Sequence, residues 1–212
     1  MAEPVRRRDA ARSREAVLAA AIVLFSERGY DGTSMAEIAQ AAGLARATPG
    51  YLFKSKAALY RAVLERVHGE RTAALTAACT GLHEWAADTR AGRDQLRLAL
   101  DEAVGGYLGF LDRTPAFGRL IGWEALTPQP RLPGDLSTSL SDAFRAIRRV
   151  APTRGLAQFD VDAVVVATVS MCFLPVAHAT TFRAGGGIDT GGPAFRRRYQ
   201  RAVVDAVLSM LG

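Results

Sequence analysis

Cysteine is scarce in this chain, with only Cys79 and Cys172 among 212 residues. Two thiols exclude a disulfide scaffold and a zinc site built from cysteines. Histidine is nearly as rare, and His68, His83 and His178 are far apart in sequence. No His-Glu-x-x-His, no Gly-x-Ser-x-Gly and no carboxylate pair in an evident pocket context accompanies them. Neither an enzyme nor a bound cofactor or metal is therefore expected. Strand-type alternation of apolar and polar residues is absent, as is any repeat of roughly 20–50 residues. The first stretch, MAEPVRRRDAARSREAV, has no apolar core and no small-residue cleavage site. It gives no secretory signal, so the cytoplasm is the expected compartment. The glycine run at 185–192 follows a helical stretch and contains no Gly-Lys-Ser/Thr, and it reads as a connector rather than a phosphate loop.

What remains is a chain rich in apolar residues, 49% against 23% charged, which excludes wholesale disorder. The length suits one domain or two small ones. The charge is lopsided. Residues 1–67 hold eleven bases against seven acids, net +4, in a protein whose total is +6. The only lysines, Lys54 and Lys56, lie in that part. A basic N-terminal piece on a nearly neutral body suits an anionic partner, although basic segments are also commonly just solvated.

Helical periodicity runs almost throughout. Val17, Leu18, Ala21, Ile22, Leu24 and Phe25 form one apolar face, and Gly29 fits a helix stop. Ser34 followed three residues later by Glu37 is a capping box. It opens a short helix carrying Ile38, Ala39 and Ala42, which Gly43 ends. A further short helix is predicted from about Arg46 to Phe53. Ser55 then caps a long helix with Leu59, Tyr60, Val63, Leu64 and Val67. Further helices are predicted near 72–88, 94–112, 116–126, 135–150, 159–183 and 193–211. They are separated by breakers at Gly92, Pro115, Pro128-Gln129-Pro130, Pro133-Gly134, Pro152 and the glycine run. The fold class expected is all-α. Ala163–Phe182 has no Asp, Glu, Lys or Arg and reaches the length of a membrane span. Its Thr168, Ser170, Pro175, His178, Thr180 and Thr181 lower its hydropathy, and no second such segment exists. A helix buried against other helices is the better reading, so no membrane partner is expected.

Residues 34–56 have the arithmetic of a helix-turn-helix, with small residues, Ala39 and Gly43, where two short helices cross. The outer face of the second helix presents Arg46, Thr48 and Tyr51, which can reach base edges or phosphates. Lys54 and Lys56 stand beside the next helix N-terminus, whose positive end favours phosphate. Helical hairpins with a glycine turn also occur without any DNA role.

The wider stretch 20–63 is more specific. Ala21, Phe25, Gly29, Tyr30, Thr33, Ile38, Ala39, Gly43, Thr48, Phe53, Ser55, Lys56 and Leu59 stand at spacings that resemble the DNA-binding domain of the tetracycline-repressor (TetR) family of bacterial transcriptional regulators. The resemblance covers about a fifth of the chain and implies several expectations. Residues 1–10 are a disordered basic arm. Residues 11–54 are the helix-turn-helix domain, and 55–212 a larger helical domain for effector binding and dimerisation. Ser34 caps the helix before the reading helix and touches phosphate. Arg46, Thr48 and Tyr51 lie in the major groove of double-stranded DNA, with Lys54 and Lys56 beside them and Lys56 clamping a phosphate. Arg12 and Arg14 approach the flanking backbone. The regulator is expected to be a repressor that binds a palindromic operator as a homodimer and is released by a small-molecule effector of unknown identity.

One departure stands out. The family usually has Leu-Tyr where this chain has Pro49-Gly50. A proline near the fourth helical position forfeits a backbone hydrogen bond, and the glycine weakens the helix by about 1 kcal/mol. A short, 3₁₀-like reading helix is predicted, packed by Leu44, Leu52 and Phe53, with Tyr51 as the leading base contact. For the body, two helices supply the expected dimer interface: Val164, Thr168 and Met171, with Phe195, Tyr199, Val203 and Val207. The alternative is that both simply cover a monomer core. The expected pocket liners are Tyr107, Phe110, Phe117, Trp123, Met171 and Phe173, with Glu124 and His178 as polar anchors, although each alone fits an ordinary core position. The competing functional reading is a helical ligand-binding or adaptor protein without DNA-binding activity.

Overall fold

The computed structural model describes residues 3–127 and 138–212, with side chains described from Arg8 onward. Among the described residues every regular element is helical: α1 (Glu3–Arg28), α2 (Met35–Ala41), α3 (Thr48–Phe53), α4 (Lys56–Ala78), α5 (Thr80–Ala87), α6 (Arg93–Arg113), α7 (Pro115–Ala125), α8 (Thr138–Val150), a 3₁₀ turn (Ala151–Arg154), α9 (Val161–Ala177), α10 (Ala179–Gly186) and α11 (Pro193–Met210). The all-α expectation holds. The breakers Pro128-Gln129-Pro130 and Pro133-Gly134, and the expected helix start at 135, lie outside the described residues.

Contacts divide the chain into two units, Met1–Gly69 with Ala116–Gly134, and Glu70–Pro115 with Asp135–Gly212. The expected boundary at residue 54 therefore falls inside the first unit. The segment expected as an arm is helical from Glu3, because Ala, Arg and Glu dominate it and Pro4 sits in the first turn, where its missing N–H has no helical acceptor to lose. In the first unit, Val17, Ala21 and Phe25 of α1 are buried with Ile38, Phe53, Leu59, Tyr60, Val63 and Leu64, and with Phe117 and Leu120 of α7. Burying each of the larger side chains contributes about 1.5–3 kcal/mol. Phe25 and Tyr60 meet edge-on at 4.9 Å. The Tyr60 hydroxyl donates to buried Glu124 Oε1 of α7 at 2.8 Å.

The second unit packs α5, α6, α8, α9 and α11 around Leu82, Leu96, Leu100, Leu140, Phe144, Ile147, Val164, Val203 and Val207. Two predicted elements differ from the structure. The long helix that starts after Ser55 does not stop near 70 but runs unbroken through Gly69 to Ala78, since Gly69 keeps a negative φ and lowers propensity without breaking the ladder. The break comes at Cys79 instead. The predicted helix 159–183 is two helices, α9 and α10, bent by 68° at His178. Pro175 has no N–H for the Met171 carbonyl one turn earlier. That carbonyl is satisfied from α11, where the Tyr199 hydroxyl donates to it at 2.7 Å. No single helix among the described residues is long and apolar enough to cross a membrane.

Candidate nucleic-acid interface

The first unit builds its helix-turn-helix from short-range chemistry. Gly29 ends α1 with φ +70°, and its N–H donates to the Phe25 carbonyl at 2.9 Å. The buried Thr33 hydroxyl lies within hydrogen-bonding distance of the Leu24 and Gly29 carbonyls, at 3.2 and 3.0 Å, and fixes the turn. Ser34 then caps α2. Its Oγ accepts from Glu37 N at 3.2 Å while its backbone N–H donates to Glu37 Oε2 at 2.8 Å, which is the predicted capping box. The Ser34 hydroxyl also donates to that carboxylate at 2.7 Å, and Arg28 Nη1 donates to Oε1 at 2.9 Å. The Ser34 hydroxyl, its backbone N–H and the Arg28 charge together hold the Glu37 carboxyl below the usual range. Ser34 remains exposed.

At the far end of α2 the Gly43 N–H donates to Gln40 O at 3.0 Å and the Leu44 N–H to Ala39 O at 2.9 Å. This is a Schellman closure with Gly43 at φ +67°. The chain then enters α3. Its structure corrects the prediction of a 3₁₀-like helix. The helix starts at Thr48, so Pro49 occupies the first turn, where an N–H would have no helical partner anyway. The following bonds, Tyr51 N to Ala47 O at 3.1 Å and Lys54 N to Gly50 O at 2.9 Å, are α-type. Arg46 lies in the turn before α3 and is exposed, Thr48 is half-buried, and Tyr51 projects with 76% of its surface exposed. Pro49 and Phe53 face inward.

After α3 the backbone makes a tight turn. Lys54 has φ 69° and ψ −42°, and Ser55 N donates to Phe53 O at 2.8 Å. This is a strained γ-turn. Lys54 is the only non-glycine residue with positive φ among the described residues. Its ammonium lies 5.5 Å from the Tyr51 ring centroid. Ser55 caps α4 through its Oγ, which accepts from Ala58 N at 3.1 Å. Lys56, the first residue of α4, lies 4.4 Å over the Tyr30 ring.

Three contacts here were not legible in the sequence. Arg14 does not project as a free flanking cation. Its guanidinium stacks on Phe53 and donates to the Leu52 carbonyl at 3.3 Å. Arg28 is bound to Glu37. Trp123 donates from Nε1 to Ser26 O at 3.2 Å, and its ring lies 3.1 Å from where a Cβ on Gly29 would stand. Arg12 is exposed and borders a shallow groove with Asp9, Ser13, Ala16 and Leu44.

The expected pocket residues do not form one group. Phe117 and Trp123 belong to the first unit, where Phe117 packs edge-on to His68 at 5.8 Å. Glu124, expected as a polar anchor, is the buried acceptor for Tyr60 in that same unit. Tyr107 and Phe110 are buried and stacked in the second unit. Met171 and Phe173 are half-buried, and His178 is exposed at the α9–α10 break. The second unit does hold an apolar cavity of about 10 Å³, lined by Leu75, Leu82, Leu100, Ala103, Val104, Tyr107, Leu140, Phe144, Thr168 and Cys172. Of the expected interface residues, Val164, Thr168, Val203 and Val207 are buried within their own unit. Phe195 and Tyr199 stack on each other at 5.3 Å and are half-buried.

Comparison with known proteins decides the family. Residues 17–63 match the family description "Bacterial regulatory proteins, tetR family", and residues 97–207 match "Tetracyclin repressor-like, C-terminal domain". The chain belongs to the TetR family of transcriptional regulators. It is similar to the HTH-type transcriptional regulator RutR of Escherichia coli O157:H7, 31% identical over 161 residues that cover 73% of this chain and 69% of the relative. Against RutR of Escherichia coli strain K12 the identity is 33%, over 64% of this chain and 58% of the relative. Among solved structures, a TetR family transcription regulator from Marinobacter aquaeolei VT8 has TM-score 0.62 and 19% identity, covering 97% of this chain and 98% of its own. A HlyIIR mutant protein has TM-score 0.61 and 22% identity, covering 95% and 98%. At these identities the structures show the shared fold alone. This TetR-family regulator thus carries its helix-turn-helix in α2 and α3 of the first unit.

Proposed function

We propose that this protein is a repressor acting in the cytoplasm, which binds a palindromic operator as a homodimer and is released by a small-molecule effector. The observation that carries the reading is α3 itself. It is short, packed from behind by Pro49 and Phe53, and presents Tyr51 with Arg46 and Thr48 before it and Lys54 and Lys56 behind it. Such a helix enters the major groove with its side chains on base edges, while the flanking cations and the capped α2 N-terminus meet phosphates. Ser34 is exposed at that N-terminus, and it takes a phosphate contact in addition to its cap.

Two reading helices reach successive major grooves only in a dimer, with half-sites about 34–36 Å apart. The interface extends to what one subunit leaves uncovered on α9 and α11. On α9, which carries no charge beyond Asp162 in its first turn, these are Val166 (65% exposed) and Leu174 (50% exposed), with Ser170 between them. On α11 they are the exposed Ala202 and the half-buried Phe195, Tyr199, Ala206 and Met210. A pair of helices from each subunit then forms a four-helix bundle. An effector held in the second unit releases DNA by favouring a form with lower DNA affinity, to the extent of its differential affinity for the two forms.

Selection of bound duplexes from a random pool by the full-length protein tests this reading. An inverted repeat with half-sites about one helical turn apart is the expected product. Enrichment of a single half-site contradicts the dimer. No enrichment favours an adaptor that keeps the fold without DNA.

A further inference from the structure

Lys56 opens α4, and no acid stands in the first turn of that helix. A lysine there is at the positive end of the helix dipole, where a cation is disfavoured and an anion favoured. No acid elsewhere among the described residues pairs with it. Its ammonium lies instead 4.4 Å from the centroid of the Tyr30 ring. Lys56 is half-buried, whereas Lys54 is exposed.

The Tyr30 ring is itself fixed by packing. It stacks on Phe25 with centroids 6.1 Å apart and meets Tyr60 edge-on at 5.1 Å. Phe25 and Tyr60 are fully buried, and all of these residues belong to the first unit. Lys54 offers the contrast, since its ammonium is 5.5 Å from a Tyr51 ring that is 76% exposed. A lysine stem loses much rotamer freedom when its head is pinned on a phosphate. A rigid aromatic face takes up part of that loss before DNA arrives. An ammonium has three N–H donors. A ring covers one side of it and leaves the other directions for an outside oxygen.

We propose that Tyr30 is a positioning residue for DNA binding: its ring face holds the Lys56 ammonium at the α4 N-terminus, in place for a DNA phosphate. Tyr30 acts through Lys56, so its contribution is the same for every base sequence. The proposal rests on the phosphate contact of Lys56 in the reading above and adds the residue that presents it.

Two measurements on the full-length protein test it. The first is NMR of the lysine ε-methylene groups without DNA. Lys54 and Lys56 are the only lysines, so Lys56→Ala assigns both signals. The Lys56 signal is expected upfield through the ring current of Tyr30, to stay there in Tyr30→Phe and to lose the shift in Tyr30→Leu. The second is affinity for a labelled operator duplex and for a random one, at fixed salt. Tyr30→Leu is expected to weaken both by about two- to fivefold, the range of an exposed cation–π contact, and Tyr30→Phe to leave both unchanged. In a Lys56→Ala background Tyr30→Leu is expected to cause no further loss. Tyr30→4-cyanophenylalanine keeps the ring's size but draws electron density from its face. It is expected to weaken binding as well, and serves if the leucine variant misfolds. An equal loss in the Lys56→Ala background overturns the proposal, because Tyr30 then acts through packing alone. Native affinity in both weakened variants overturns it too, as does a Lys56 signal without the ring-current shift. If the shift is present but Lys56→Ala leaves affinity and salt slope unchanged, the phosphate contact of Lys56 falls and the ring contact serves the fold alone.

Discussion

The guanidinium of Arg14 lies 4.1 Å from the centroid of the Phe53 ring. With its hydrogen bond to the Leu52 carbonyl, this contact ties α1 to the last turn of α3. The tie matters because a helix of six residues is unstable by itself and takes its order from packing. Arg14→Ala is therefore expected to lower stability by about 1 kcal/mol and to speed amide exchange at Tyr51–Lys54. Unchanged exchange at those amides rules out the positioning role.

Tyr51 is the most exposed aromatic side chain of the helix-turn-helix. Tyr51→Ala should reduce discrimination between a selected operator and random duplex by about 1–3 kcal/mol. It should leave thermal stability nearly unchanged, because the ring covers little of the unit's core. A constant affinity ratio removes Tyr51 from the reading set.

Local signals in this chain were readable because they act over four or five residues. Ser34 and Glu37 announce a cap, Gly29 and Gly43 announce left-handed stops, and the structure realises each of them. Pro49 misled because its effect depends on register: two residues' difference in helix start turns a lost hydrogen bond into a favourable first-turn residue. The face of a helix that meets its own unit and the face left for a partner have the same periodicity. Val164 and Val166 thus look alike in sequence, yet one is 3% and the other 65% exposed. Trp123 and Glu124 suit pocket positions in the sequence because nothing local tells that α7 returns to Ser26, Gly29 and Tyr60, nearly a hundred residues away in the first case.

Lys54 holds a backbone conformation that glycine adopts more easily. Lys54→Gly should stabilise the protein by about 1 kcal/mol while weakening binding to all duplexes alike. The slope of log affinity against log salt should flatten by about 0.9. Added stability with an unchanged slope means that the ammonium contacts no phosphate.

Gly29 meets two constraints at once, a left-handed φ of +70° and a Trp123 ring 3.1 Å from the Cβ position. Gly29→Ala should cost about 1–2 kcal/mol for the backbone alone, and more through the ring contact. Adding Trp123→Leu should recover only the ring contribution. Full recovery in the double variant, measured by denaturant unfolding, removes the backbone argument.

Glu37 is titrated below its ordinary value, first by the Ser34 hydroxyl, then by the Ser34 backbone N–H and Arg28. The stabilisation is accordingly complete above the ordinary carboxylate range and disappears as pH falls through the depressed value. Carboxyl NMR should place Glu37 below a reference glutamate, and Ser34→Ala should move it up. A Glu37 midpoint at the reference value in the native chain contradicts the cap as described.

The most direct measurement is anisotropy of a labelled duplex with full-length protein, across roughly 50–200 mM salt. If α3 enters the groove between cationic flanks, log affinity falls linearly with log salt, by about 0.9 per phosphate neutralised, and Lys56→Ala flattens that line. An absence of binding to any duplex at the lowest salt contradicts the assignment of α3 as the reading helix.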